Sequence, residues 1–315
     1  MIAGAICLSH SPLLDQACAD ASQPAGFHAA VAEAAGAAAA WSPDLCIVFY
    51  PDHFNGFFYD LMAPFCIGTA AVSVGDYGTA PGEMNVAADQ AESLAAFILA
   101  QGVDVGLSYA MRVDHGVTQP IEMLSRGQAF PPIIPIFINS AAAPLPPFAR
   151  ARALGRAAGE WAIQSGRRVL LLASGGLSHD PPLPNIRAAT GDARAALIDG
   201  RPMTHAARAA RQQRVRDAAH AAVGGAGTTR KLAPDWDRAV LDALRGGKTD
   251  FADGWVNDDV TAQAGRGAHE TRTWIAACAA LQAAGPYHAD ILFYAPIVEW
   301  LTGMGVLRAQ PTRYQ

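Results

Sequence analysis

At 315 residues the chain is long enough to bury one large core or two smaller ones. A formal charge of −5 excludes the dominant basic field that a nucleic-acid or anionic-membrane surface needs, which leaves a small molecule as the expected partner. With 51% hydrophobic and 16% charged residues, the balance is that of an ordered globular protein, not a disordered one. No apolar run reaches the length of a membrane span, and MIAGAICLSH at the start lacks the basic flank and long apolar core of a secretion signal, so a cytoplasmic protein is expected. Cys7, Cys18, Cys46, Cys66 and Cys278 are odd in number and never spaced as CxxC, so neither a disulfide framework nor a thiolate metal site is expected.

Along the chain, apolar β-branched runs at 2–8, 45–50, 103–109, 133–138 and 169–173 read as strands. Helical patterns at 27–41, 86–100 and 148–164 lie between them. This alternation predicts an α/β fold, with a central, largely buried β-sheet flanked by helices. After residue 181 the character changes to Ala- and Arg-rich helices at 204–223 and 235–244, separated by a Gly-rich joint (VGGAGTT), and a last helix at 274–282 that Gly285-Pro286 stops. A helical C-terminal portion is therefore expected. No internal repeat or linker divides the chain, so 1–315 reads as a single domain. The arginine stripe RAARQQRVRD reads as a solvated helix face.

Four of the nine histidines occupy the same kind of place. His10 follows AICLS, His53 follows LCIVFYPD, His115 follows LSYAMRVD and His179 follows VLLLASGGLS. Residues just past the carboxyl ends of strands line the ligand crevice of an α/β sheet, so histidines far apart in sequence can converge there. A single such histidine is more often a core or capping residue; four with glycine neighbours (Gly56, Gly116, Gly175, Gly176) favour a site. In HETRTWIAACAALQ, Glu270, Trp274, Cys278 and Leu281 share one helical face, so Glu270 points with the apolar residues. A buried carboxylate calls for a cation, although a place near the helix start also suits a capping role. Two imidazoles and one carboxylate suit non-haem Fe(II) or a zinc hydrolase, and spacing does not separate the two metals. HExxH, P-loop and GxGxxG patterns are absent.

The segments CLSHSPL, PDHFNGFFYD, VDHG, SGGLSHDPP and HETRTW, with the weaker RQQRV and PIVEWLTGMG, resemble those of the class III extradiol ring-cleaving dioxygenases over nearly the whole chain. The resemblance implies that His10, His53 and Glu270 ligate one Fe(2+) and that His115 and His179 form the acid–base pair, His115 as base and His179 as acid. It implies the α/β fold of that family, a homo-oligomer of four or more chains, and a 3-substituted catechol, 3-(2,3-dihydroxyphenyl)propanoate above all, as substrate beside dioxygen. Asp52 and Asp114 precede site histidines and are candidate orienters, unless strand alternation turns them away. Phe57 and Pro181 are candidates for shaping the pocket, and Asn55 and Arg112 lie nearest in sequence for a substrate carboxylate. Competing readings are a dioxygenase for another 3-substituted catechol, a zinc hydrolase with the same ligands, and a binding protein without a metal; the last has no reason to keep both ligands and proton carriers.

Overall fold

The computed structural model describes residues 1–200, 203–227 and 229–312. Strand β1 (Ile2–Leu8) leads into α1 (Ser22–Ala40), β2 (Leu45–Tyr50), the short strands β3 (Phe65–Gly68), β4 (Ala71–Ser73) and β5 (Gly82–Glu83), and α2 (Ala88–Ala100). Then come β6 (Gly106–Ser108), β7 (Met111–Val113), α3 (His115–Ser125), β8 (Ile133–Ile138), α4 (Phe148–Gln164) and β9 (Val169–Ser174). The rest holds α5 (Gly191–Asp199), α6 (His205–Val223), α7 (Pro234–Arg245), α8 (Asn257–Ala264), a 3-10 turn at Arg266–Glu270, α9 (Thr271–Gln282), and the strands β10 (Tyr287–Ile297) and β11 (Thr302–Pro311). Thr228 of the Gly-rich joint lies outside the described residues.

Eight strands form the main sheet in the order β10-β11-β1-β9-β2-β8-β3-β6. Its centre, β1, β9, β2 and β8, is parallel. Every residue of β2, β8 and β9 is buried, because helices cover both faces. Cys7, Ile47, Phe49 and Leu171 face α2, α4 and α9 on one side, while Ile6, Val48, Tyr50 and Leu172 face α1 and α3 on the other. Each large apolar side chain buried this way contributes roughly 1.5–3 kcal/mol. Gly155 and Gly159 let α4 lie directly on α9: a Cβ at either would come 2.0 or 2.1 Å from the carbonyl oxygen of Ala276 or Ala280. Helix α9 is buried along almost its whole length and carries the segment before it, with Glu270, against the carboxyl end of β9.

The expected C-terminal helices are present, but the chain does not end in them. β10 and β11 form an antiparallel hairpin, and β11 pairs antiparallel with β1, so the last strand extends the sheet begun by the first. The partly exposed faces of β10 dilute its apolar pattern, which hides it among the helical segments. The strand expected at 103–109 shrinks to the three residues of β6 at the sheet edge, and β7 joins β4 and β5 in a separate three-stranded sheet. No helix among the described residues is long and apolar enough to cross a membrane.

Candidate active site and metal centre

β1, β9 and β2 are adjacent and parallel, so their carboxyl ends open at one edge, and His10, His53 and His179 meet there. His115 arrives otherwise: it is the first residue of α3, whose N-cap Asp114 accepts a hydrogen bond from the Gly116 amide at 2.9 Å. Glu270 reaches the same point from the turn before α9 and caps no helix amide there, so its carboxylate is free for the site. His10 Nε2 stands 3.5 Å from His53 Nε2, which is 3.3 Å from Glu270 Oε1; His10 Nε2 is 3.8 Å from Glu270 Oε2. Donors bound about 2.1 Å from one ion stand about 3.0–3.4 Å apart, close to the separations between the two imidazoles and between His53 and the Glu270 carboxylate.

The outward atom of each donor is tied down. His10 Nδ1 meets Ser174 Oγ at 2.8 Å, His53 Nδ1 donates to Asp114 Oδ2 at 3.1 Å, and Glu270 Oε2 accepts from the Gly176 amide at 2.7 Å. Such outer contacts fix the tautomer and aim the inner nitrogen. Burial pushes the pKa of His10 down to about 3, which keeps it neutral. Burial opposes charge on His53 too, but the Asp114 and Glu270 carboxylates outweigh it and hold its pKa well above the usual value. Burial would raise the pKa of Glu270, yet His179, His53 and His10 hold it well below the carboxylate range. With the Nε2 proton of His53 displaced on binding, the pocket presents a carboxylate and inward-facing imidazole nitrogens, a donor set that fits a divalent transition metal. Nitrogens of His10, His53 and His115 also lie within 4.8 Å of one another. Asp76, Asp114 and His115 form a second such group, but its carboxylates are already hydrogen-bonded to His115 and His53, whereas the triangle with Glu270 joins a carboxylate to two inward-facing imidazoles.

The two remaining histidines have different partners. His115 Nδ1 donates to Asp76 Oδ2 at 2.7 Å, and its amide donates to Asp76 Oδ1 at 2.8 Å. Asp76 is buried in the loop between β4 and β5 and was not among the residues singled out from the sequence, where nothing links it to a histidine 39 residues away. Asp76→Asn turns an amide donor toward Nδ1, and the kinetic assay should show kcat reduced by roughly 10²–10⁴ with unchanged metal content. Full kcat in this variant would refute a role for Asp76 in setting the His115 tautomer. His179 Nδ1 donates to the Leu177 carbonyl at 2.9 Å, and its Nε2 lies 3.3 Å from Glu270 Oε1. Burial disfavours its charge, but Glu270 prevails and raises the pKa. Gly267 lets the ring sit flush against backbone, since a Cβ there would fall 2.1 Å from Nε2. Asp237 fixes the preceding residue, accepting from the Ser178 amide at 2.7 Å and the Ser178 hydroxyl at 2.8 Å.

The four histidines line a cavity of about 540 Å³, to which Asn55 and Pro181 also contribute. Four other expectations are corrected. Phe57 is turned into the core, stacked 3.7 Å from the Phe137 ring, and Phe54 and Phe58 face the cavity in its place. Asp52 touches no site histidine: it accepts from the amides of Asn55, Gly56 and Phe57 at 2.9–3.1 Å and so shapes the turn, while Asp114 is the residue that orients His53. Arg112 is drawn away to the Gly200 carbonyl at 2.7 Å. The arginine stripe of α6 is only partly solvated, because Arg208, Arg211 and Arg214 line the cavity.

Two imidazoles and a carboxylate around one point, with two more histidines lining the same cavity, form a donor set suited to one metal ion with acid–base groups at hand. Residues 4–305 match the family of the catalytic LigB subunit of aromatic ring-opening dioxygenase. The chain belongs to this family, and is a ring-opening dioxygenase. A 2,3-dihydroxyphenylpropionate/2,3-dihydroxicinnamic acid 1,2-dioxygenase of Paraburkholderia xenovorans is 47% identical over 308 residues, covering 97% of this chain and 96% of the relative. Proteins with the same description from Rhodococcus jostii (47% identical, 97% and 98% covered) and Pseudomonas putida (46%, 96% and 97%) are similarly close. A crystal structure of an uncharacterized protein from Escherichia coli K12 shares the fold, with a TM-score of 0.51 at 15% identity over 96% of this chain and 98% of that one.

Proposed function

We propose that the protein is a non-haem Fe(II) extradiol dioxygenase acting on 3-(2,3-dihydroxyphenyl)propanoate, and on 2,3-dihydroxycinnamate with it. The products are 2-hydroxy-6-oxonona-2,4-dienedioate and the corresponding trienedioate. The convergence of His10, His53, His115 and His179 on one cavity, with Glu270 within 3.3–3.8 Å of three of them, in a chain 47% identical to relatives described by those substrates, carries this reading. His10, His53 and Glu270 would hold the Fe(II). When bound, the ion supplies a Lewis-acidic, redox-active centre with open positions for a chelating catechol and for dioxygen. The pairing of β1 with β11 supports one catalytic domain over 1–315.

The hydrogen bonds support a division of labour between the histidines. With its Nδ1 proton held by Asp76, His115 turns an unprotonated Nε2 to the cavity and takes a proton from a catechol hydroxyl. His179 has its Nδ1 proton fixed by a carbonyl that can only accept, and Glu270 favours a second proton on Nε2. It therefore donates a proton to the oxygen on which charge collects as the ring opens. Phe54, Phe58 and Pro181 give the cavity apolar surface beside these groups.

Anaerobic reconstitution with Fe(II), followed by 3-(2,3-dihydroxyphenyl)propanoate and then air, tests the proposal. A yellow ring-opened product and one dioxygen consumed per catechol are expected. Turnover that persists without dioxygen in a zinc-loaded protein would replace this reading with a hydrolase.

A further inference from the structure

We propose that Arg208 is the receptor for the carboxylate at the end of the substrate side chain, an assignment that rests on the reading of the cavity as a catechol dioxygenase site. The cavity is chemically uneven. The histidines gather at one end, Pro184, Ala189 and Leu197 provide an apolar wall, and α6 brings three guanidinium groups to the lining. A catechol held at the histidines sends its 3-substituent away from them. An apolar wall accepts the methylenes of that substituent but offers nothing to a carboxylate.

The three arginines are not equivalent. Arg211 is a strut: its Nη2 donates to the His53 carbonyl, its Nη1 to the Phe54 carbonyl at 3.4 Å, and so α6 is pinned to the loop that carries a metal-ligand candidate. Arg214 is an exposed residue. Arg208 is half-buried, and its Nη1 is fully removed from solvent with no hydrogen-bond partner among the described residues. Buried donors are nearly always paired, and a charged one is the costliest to leave unpaired. Asp76, the other charged group besides the histidines and arginines in the lining, is occupied by His115. An unpaired guanidinium N–H inside a substrate cavity is what a carboxylate completes by accepting from it, and the planar fork of arginine is built to donate to such a group.

The test compares 3-(2,3-dihydroxyphenyl)propanoate with 3-propylcatechol, which has the same ring and chain length without the charge. Arg208→Met, which keeps the aliphatic stem, is expected to lower kcat/KM for the propanoate roughly 10- to 100-fold, mainly through KM. The loss on 3-propylcatechol should be at least ten times smaller, and Arg208→Lys should recover part of the deficit. Equal losses on both catechols, or none, would overturn the assignment while leaving the dioxygenase reading intact. Calorimetric binding of 3-phenylpropanoate, which carries the carboxylate but cannot be cleaved, gives a readout independent of turnover. If the wild type cleaves neither catechol yet binds this acid through Arg208, the reaction is misassigned and the receptor stands. If it neither cleaves nor binds, both ideas fall.

Discussion

His53→Ala is expected to lose bound iron, with affinity lowered roughly 100-fold or more, and with it all measurable ring cleavage. Changing groups one shell further out already costs 10- to 100-fold in metal proteins, and here a direct donor is removed. The same substitution removes the imidazole donor to Asp114, which keeps the amides of residues 53 and 116 and the Asn55 side chain. Burial works against that carboxylate, and His53 and His115 hold its pKa well below the usual range. Losing one hydrogen bond to a buried carboxylate costs about 1.5–3 kcal/mol, so thermal unfolding should fall by a few degrees as well. His10→Ala separates the two effects. His10 is neutral and its outward partner is a hydroxyl, so this variant should lose iron to the same degree with a much smaller drop in stability. Metal content by mass spectrometry and thermal unfolding on both variants decide the matter; full iron occupancy in either would remove that histidine from the ligand set.

His179→Gln has the opposite profile: iron retained, turnover slowed by roughly 10²–10⁴-fold, the usual range for losing a positioned proton carrier. The glutamine occupies similar space above Gly267, so the ligand triangle keeps its shape, but no proton can be released from it near neutral pH. His115→Gln should behave alike, with the loss falling on deprotonation of the catechol instead of protonation of the product-forming oxygen. A substrate whose hydroxyls are made more acidic by electron-withdrawing ring substituents should therefore recover part of the His115→Gln loss and little of the His179→Gln loss. Iron loss from His179→Gln would break the division of roles drawn between ligands and proton carriers.

Much of this site is legible in the sequence because strand ends are. The runs that become β1, β2 and β9 are uninterrupted apolar stretches, each followed by a histidine, and the order β1-β9-β2 makes those ends neighbours. What stays hidden depends on contacts across the fold. α3 carries Pro120 and opens on His115-Gly116, a composition that favours a loop; tertiary packing and the Asp114 cap make it helical. Asp76 has no sequence pattern at all, since its role exists only once the loop after β4 folds over α3. In α6, polar residues occur on every side, so nothing in the residues tells which arginines meet a cavity wall supplied by the loop before α5 and which meet solvent.

The pairing of the first strand with the last also bears on how the protein is made. His53 and Glu270, 217 residues apart, meet only when α9 has been laid against β9, and β11 joins β1 later still. Contacts of such long sequence separation close late in folding. A nascent chain leaving the ribosome holds His10 and His53 long before it holds Glu270, and so carries an incomplete site through most of translation. Iron loading is thus expected to follow release of the chain, and a protein halted anywhere before α9 should gain no stability from added Fe(II).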